Sequence, residues 1–316
     1  MRILVAGATG ALGRQLVPRL VERGHEVVGM SRSAERAALL EEHGARAVVA
    51  DALDPDSVAR AVVESEPEAI VHELTSLAAG IDMRRFDASF EQTNRLRTVG
   101  TDHLLAAGRA AGVRRFVAQS YAGWPYAREG GSVKSEDAPL DPSPPAPMRT
   151  TLEAIRHLEE AVTGTPEIEG VVLRYGALYG PGTSLSVEPD GEHTAAIRDR
   201  RFPLVGDGAG VWSFVHVADA AEATAVAVER GAPGIYNVVD DTPAPVREWL
   251  PAAAEALGAK PPRRVPRWLG RLLAGEAAVV MMTEVRGASN AKARRELGWR
   301  PERRSLWEGL AAEAGR

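Results

Sequence analysis

Short apolar runs alternate with stretches of helical periodicity along the first half of the chain. The runs RILVA, HEVVGM, RAVVA, EAIVHEL, RRFVAQS and GVVLRY have strand length and almost continuous hydrophobicity, as strands do when both faces of a sheet are covered. Between them the spacing predicts helices over 11–23, 56–64, 90–111 and 149–163. This alternation predicts an α/β fold with a parallel, doubly wound sheet. Pro18 falls inside the first helix, where a missing N–H is expected to cost a hydrogen bond and kink it.

The pattern then changes. Between Pro139 and Pro147 there are five prolines in nine residues, which excludes helix and central strand and predicts a loop. Lying just before a helix, it is expected to be mobile and to close over a cleft. Beyond Gly180 the chain is irregular, then strand-like at WSFVHV, helical from Ala218 to Glu229, and strand-like again at GIYNVV. After Asp241 it is mainly helical. The apolar stretch Val279 to Met282, interrupted by Glu276 and Glu284, predicts a buried helix rather than a membrane span. Two domains are expected: residues 1–178 with 212–240 as a nucleotide-binding unit, and 179–211 with 241–316 as a smaller, mainly helical substrate unit.

Gly7, Gly10 and Gly13 follow the first strand directly and open the first helix. Glycine allows a tight turn and close approach of backbone to a pyrophosphate, and the helix N-terminus offers N–H groups to its charge. In that context the triplet predicts a Rossmann-type dinucleotide site. The second strand ends in Ser31 and Arg32 instead of the carboxylate that grips ribose hydroxyls in NAD enzymes. A guanidinium suits a 2′-phosphate, so NADP is expected over NAD. Asp51, with Ala52 beside it, ends the third strand where the adenine edge would lie, or else caps the next helix.

Composition narrows the class. The formal net charge of -5 gives no basic field for a nucleic acid. There is no cysteine, hence no disulfide, thiolate metal site or thiol nucleophile. The first apolar run is too short for a signal sequence, so a cytoplasmic setting with no membrane partner is expected. No His, Asp and Glu show metal-ligand spacing, and no GxSxG elbow occurs. His72 and Glu73 are the other polar pair to weigh, as a general base or as structure. Adjacent strand residues face opposite ways, which favours structure.

The order of GATGALG, NRLRTVGTDHLLAAGRAAGVRRFVAQS, VVLRYGALYGPG, WSFVHVADAAEA and NAKARRELGWRP closely resembles the extended short-chain dehydrogenase/reductases, the group of NAD(P)-dependent epimerases and dehydratases. The resemblance covers almost the whole chain. It implies a cleft between a Rossmann domain and a substrate domain, and a homodimer made through the helices at about 90–111 and 149–163. It places Gly7, Thr9, Gly10, Ala11 and Leu12 at the pyrophosphate, and Leu74 and Thr75 beside the adenosine ribose, with Asn94 on the following helix. Arg174, Tyr175 and Gly176 run past the nicotinamide, with Tyr175 where proline is usual. His216 and Asp219 match a structural part of the second half.

The departure lies in the active site. The tyrosine and lysine of the family's YxxxK motif correspond to Thr151 and Ile155, and none of the five tyrosines has a lysine four residues on. The family's SSxxxYG pattern corresponds to Ser120, Tyr121, Ala122, Gly123 and Trp124, which puts Tyr121 at the catalytic hydroxyl. Tyr121, Ser120 and Thr151 are therefore the candidate catalytic residues, and Trp124, Tyr126 and Tyr175 candidate walls of the cleft. A tyrosine of ordinary pKa can protonate an alkoxide but cannot serve as a base at neutral pH. The expected activity is thus NADPH-dependent reduction of a small carbonyl, imine or activated alkene. The alternatives are a redox-neutral epimerase, dehydratase or cyclase, for which Arg198, Arg200 and Arg201 are the only diphosphate-binding candidates, and an NADP-sensing protein without turnover.

Overall fold

The computed structural model describes residues 1–77, 81–189 and 191–315. Its centre is a seven-stranded sheet of β1 (Arg2–Ala6), β2 (Glu26–Ser31), β3 (Arg46–Val49), β4 (Ala69–His72), β5 (Arg115–Tyr121), β6 (Glu169–Tyr175) and β7 (Gly234–Val238), in the order β7-β6-β5-β4-β1-β2-β3. All pairings are parallel. The doubly wound α/β sheet expected from the alternation is the one observed. Every residue of β4 is buried, which is why its first three positions, Ala69 to Val71, are continuously apolar instead of alternating.

The two faces carry different helices. Ile3, Val5 and Val71 pack with Leu12, Leu16 and Leu20 of the helix Ala11–Glu22 and with Ala221, Ala225 and Val228 of the helix Val217–Arg230. On the other face Leu4, Ile70 and Phe116 meet Val58, Leu104 and Leu158, from the helices Pro55–Ser65, Thr101–Ala110 and Arg149–Thr163. The first helix runs on through Pro18, so the proline does not end it. Asp54, and not Asp51, caps the helix Pro55–Ser65, accepting from the N–H groups of Asp56 and Ser57. The helical run after β4 is interrupted by a π-helical turn, Leu96–Gly100, between Glu91–Arg95 and Thr101–Ala110.

A second apolar core unites Tyr179, Leu185, Leu204, Phe214, Trp249, Leu250, Leu306 and Leu310. A helix Glu192–Arg198 lies in the segment that sequence marks as irregular. The stretch Arg267–Thr283 is two helices joined at Gly275, whose φ of +87° breaks the spiral. Its second half, including Val279 to Met282, is buried as expected. Among the described residues no helix is long and apolar enough to cross a membrane. Ala277, Val280 and Met281 form a seam with Phe86, Phe90, Trp124, Met148, Leu152 and Ile155 of the sheet half.

The proline-rich segment is an anchored loop as far as Pro145; Ala146–Met148 then form a 3-10 turn, contrary to the expectation of no helix, because a proline at the start of a turn gives up only an N–H that has no partner there. Asp141 is buried and receives Arg128 Nε at 2.9 Å, and its own N–H bonds to the Pro125 carbonyl at 2.7 Å. Arg128 also donates to the Ser143 carbonyl and reaches Glu284 at the end of the kinked helix. These bonds tie down the segment expected to act as a mobile lid. At the sheet's outer edge, the Asn237 N–H of β7 donates to Glu136 Oε1 at 2.7 Å and the Ile235 carbonyl accepts from Lys292 Nζ at 2.9 Å. That ammonium also lies 4.6 Å from the centre of the Tyr236 ring.

Candidate functional site

β1 delivers the chain to Gly7, whose φ is +98° and where a Cβ would come within 2.7 Å of the Glu73 carbonyl. The Gly10 N–H closes the turn on the Gly7 carbonyl at 3.0 Å. The helix that follows has no side-chain cap and no acidic residue in its first turn. Its first intrahelical bond runs from the Arg14 N–H to Gly10. Among the described residues the N–H groups of Ala11, Leu12 and Gly13 therefore have no acceptor, and they share one helix end with a positive partial charge. Gly13 serves packing, since a Cβ there would lie 2.3 Å from the Gly7 carbonyl oxygen. Thr9 spends its carbonyl on Arg14 Nε. A cradle of glycines facing free N–H groups fits the pyrophosphate of a dinucleotide.

At the end of β2, Ser31 is buried and its hydroxyl donates to the Ser33 carbonyl, while Arg32 is exposed with no partner among the described residues. Asp51 is exposed and accepts from the Leu53 N–H at 3.0 Å; Ala52 is buried and its carbonyl meets His103 Nδ1 at 3.0 Å. Leu74 is half-buried, with its N–H on His72 Nδ1, and Thr75 is exposed.

His72 and Glu73 do not pair. His72 Nε2 lies 3.2 Å from the Leu96 carbonyl and 3.1 Å from Thr101 Oγ1, and burial brings its pKa down to about 4. It is a neutral structural residue. Glu73 turns the other way, accepting from the Tyr175 hydroxyl at 3.0 Å, while its Oε2 is buried without a partner. Burial raises the Glu73 carboxyl to about 8, opposed in part by the Tyr175 hydrogen bond. The native chain thus keeps a proton that the unfolded chain, titrating near 4.5, has lost. Stability falls as pH rises through that window and levels off above it. The variant Glu73→Gln cannot ionise, so its stability relative to wild type is expected to grow between about pH 5 and pH 8.5 by a few kcal/mol. Urea unfolding at those two pH values checks this, and a pH-independent difference would show that Glu73 is already charged in the native protein.

Arg174 and Tyr175, adjacent on β6, diverge to opposite faces. The Tyr175 hydroxyl is shared between Glu73 and Thr224, at 3.0 and 2.7 Å. Arg174 makes a buried two-pronged ion pair with Glu159, at 2.6 and 2.7 Å. Burial lowers its pKa, and the hydrogen bonds and charge of Glu159 more than offset this, holding it above the usual arginine value. Ser120 joins the same group, donating to Glu159 Oε1 at 2.6 Å. Arg174 also donates to the Tyr126 hydroxyl, which donates to Asn237 Oδ1. Ser120, Arg174 and Tyr126 therefore belong to one buried network. Gly176 is needed for close approach, because a Cβ would come within 2.7 Å of the Ser213 carbonyl.

The helix Arg149–Thr163 places Thr151 and Ile155. Asp87 caps that helix, accepting from the N–H groups of Thr150 and Thr151, and its Oδ1 also takes the Thr151 hydroxyl proton at 2.6 Å. Thr151 accepts in turn from Asn94 Nδ2 at 3.0 Å. Ile155 is buried in the apolar seam, and Tyr121 packs against the same cluster. Tyr121 is only half-buried, and its hydroxyl has no hydrogen-bond partner among the described residues. Burial pushes its pKa up to about 12, with the nearby Arg97 charge pulling the other way. Of the three candidate catalytic hydroxyls, only that of Tyr121 is uncommitted.

Arg97 is the residue that the sequence reading misses. It lies on the π-helical turn and is 5% exposed, with Nη1 enclosed and unpartnered. Burial lowers its pKa to about 10, opposed by the charges of Tyr121 and Glu159. The one available signal was a basic residue among the apolar positions of that helix. Among the described residues no group of His, Asp and Glu is arranged to hold a metal ion.

With this geometry in view, the comparisons with known proteins agree. Residues 3–238 match the model of the NAD dependent epimerase/dehydratase family. A 3-diazoavenalumate denitrifying reductase from a Streptomyces species is 46% identical, over 99% of this chain and 100% of its own. A 2-alkyl-3-oxoalkanoate reductase from Stenotrophomonas maltophilia is 30% identical over 82% of this chain and 76% of its own. The UDP-glucose 4-epimerase of Thermus thermophilus, solved with NAD, superposes with a TM-score of 0.74 at 27% identity, covering 100% of this chain and 98% of that one. With a glycine cradle, a parallel sheet of the required order and reductases among its relatives, this chain belongs to the NAD-dependent epimerase/dehydratase family as a nicotinamide-dependent enzyme of the short-chain dehydrogenase/reductase type.

Proposed function

We propose that this chain is an NADPH-dependent reductase delivering hydride to a small electron-poor acceptor: a carbonyl, an imine or an activated alkene. One observation carries the reading. The positions of the family's tyrosine and lysine hold a threonine locked to Asp87 and an isoleucine in an apolar seam, so no base for alcohol oxidation stands there. The nicotinamide, when bound, supplies the hydride. The free N–H groups of Ala11, Leu12 and Gly13 would hold its pyrophosphate, and Tyr121 would give a proton to the oxygen or nitrogen that gains charge. A phenol near pKa 12 is a weaker acid than usual but still far stronger than an alcohol, so that transfer runs downhill.

A second acceptor is favoured by the relative named for denitrification of a diazo compound. When hydride replaces N2 on a carbon bearing a diazonium group, the charges balance without any proton donor. The redox-neutral alternative has less support. Of its candidate diphosphate ligands, Arg200 is spent on the Pro261 carbonyl and Arg201 on Asp199.

The NADP preference rests on the unpartnered Arg32. In Arg32→Ala the affinity for NADPH is expected to fall by about 1.5–3 kcal/mol, the worth of a charge-assisted hydrogen bond, while NADH binding stays unchanged. Titrating both proteins with both cofactors tests this, and equal affinities in the wild type would remove the preference. To decide the reaction, the purified protein is incubated with NADPH and a panel of ketones, enones, imines, aryl diazonium salts and sugar nucleotides, following absorbance and product mass. NADPH oxidation with a reduced product upholds the reading; an isomerised product without it upholds the epimerase. In this reading residues 1–178 with 212–240 carry the cofactor and 179–211 with 241–316 the substrate. Two copies would pair in the cytoplasm through the helices of 91–110 and 149–163.

A further inference from the structure

Asn94 and Arg97, one turn apart on the helical run through 91–110, each keep a buried polar atom without a partner among the described residues: Asn94 Oδ1 and Arg97 Nη1. The Asn94 amide is spent on Thr151. Arg97 stacks over the Phe90 ring at 5.9 Å and makes no hydrogen bond or ion pair with a described residue. A buried charge in that state is costly unless something neutralises it. Glu159, the carboxylate whose charge reaches it, is already divided between Arg174 and Ser120.

The cofactor does not offer the missing anion. In the proposed binding mode its pyrophosphate would sit at the turn after β1 and a 2′-phosphate at the end of β2, whereas Tyr121, whose titration feels Arg97, ends β5, beyond β4 in the sheet order. A neutral ribose hydroxyl would leave the charge uncompensated. The π-helical turn, a device that recurs at functional sites, carries Arg97 on the buried face that also holds Phe90, Thr93, Asn94 and Thr101.

We propose that Arg97 is a substrate-binding residue, whose guanidinium takes a carboxylate of the acceptor and so holds its reducible group at Tyr121. This deepens, and rests on, the reading of the site as that of a reductase. Planar guanidinium and carboxylate match edge to edge, which a lysine in the same place would not reproduce.

The probes are 4-formylbenzoate and its methyl ester, which carry the same aldehyde and differ in charge. With the full chain saturated by NADP+, calorimetry is expected to show the acid binding at least tenfold more tightly than the ester. Arg97→Gln should lose that preference and Arg97→Lys should keep only part of it, both with NADPH affinity intact. Equal binding of acid and ester by the wild type, including no binding of either, overturns the proposal. So does an undiminished preference in Arg97→Gln or, should that variant not fold, in Arg97→Lys. Repeating the measurement with NADPH separates the two readings. Selective acid binding without NADPH oxidation upholds the anion site and removes the reductase, while equally efficient reduction of acid and ester upholds the reductase and removes the site.

Discussion

Replacing Gly13 by valine is expected to abolish dinucleotide binding and to lower thermal stability. The first added carbon would already lie 2.3 Å from the Gly7 carbonyl oxygen and 2.5 Å from the Ala8 backbone, so the helix must retreat from the turn. Both atoms are main chain, and no rotamer change relieves the clash. Overpacking of this kind costs about 1–3 kcal/mol. For a chain of this size each kcal/mol corresponds to roughly 2–4 °C in Tm. Binding should suffer more, because the three free N–H groups could converge on a pyrophosphate only while helix and turn stay in register. Thermal denaturation and NADPH titration measure the two effects. Wild-type affinity in Gly13→Val would show that the cofactor is not held at this turn.

Tyr121→Phe separates two chemistries at one site. For a carbonyl or imine acceptor, loss of the only uncommitted candidate hydroxyl is expected to lower kcat by about a hundredfold, as removal of a general acid does. NADPH affinity should not change, because the N–H groups proposed to hold the pyrophosphate lie at the turn after β1 and not at that ring. For an aryl diazonium acceptor the same variant should turn over at the wild-type rate, since no proton enters the step. Steady-state kinetics with both acceptors provide the comparison. Full activity of Tyr121→Phe on the carbonyl would leave solvent as the proton source. The converse change, restoring tyrosine and lysine at positions 151 and 155, offers no gain, because Ile155 lies in the apolar seam where an ammonium would be buried without a partner.

The fold was legible because its determinants are local. Strands buried on both faces must be apolar along their length, and the helices 55–65, 91–110 and 149–163 begin and end within a residue or so of where periodicity put them. The site was less legible because its determinants are pairings between distant residues. Glu159 lies 39 residues from Ser120 and 15 from Arg174, and nothing in the local sequence of either announces that partner. Prolines mark the loop over 139–145, though not the 3-10 turn Ala146–Met148, and they say nothing about Asp141, which fastens the loop to Arg128. Arg97 is obscure for the same reason: its spacing from Phe90, Thr93, Asn94 and Thr101 puts it on the buried face of the helical run, but nothing local shows that the carboxylate nearest in charge is already taken by Arg174 and Ser120.

The edge strand β7 has a consequence for how copies of this chain can meet. A bare parallel edge offers its outward amides and carbonyls to any passing strand, the first step toward sheet-to-sheet aggregation. Here the Asn237 amide is occupied by the Glu136 carboxylate and the Ile235 carbonyl by the Lys292 ammonium, so two groups on that rim are already spoken for by charges of opposite sign. A strand from a second molecule would have to displace both and bury them, which makes continuation of the sheet across this edge unfavourable. Polar side chains thus guard this flank, and the strand itself keeps its apolar residues for the core.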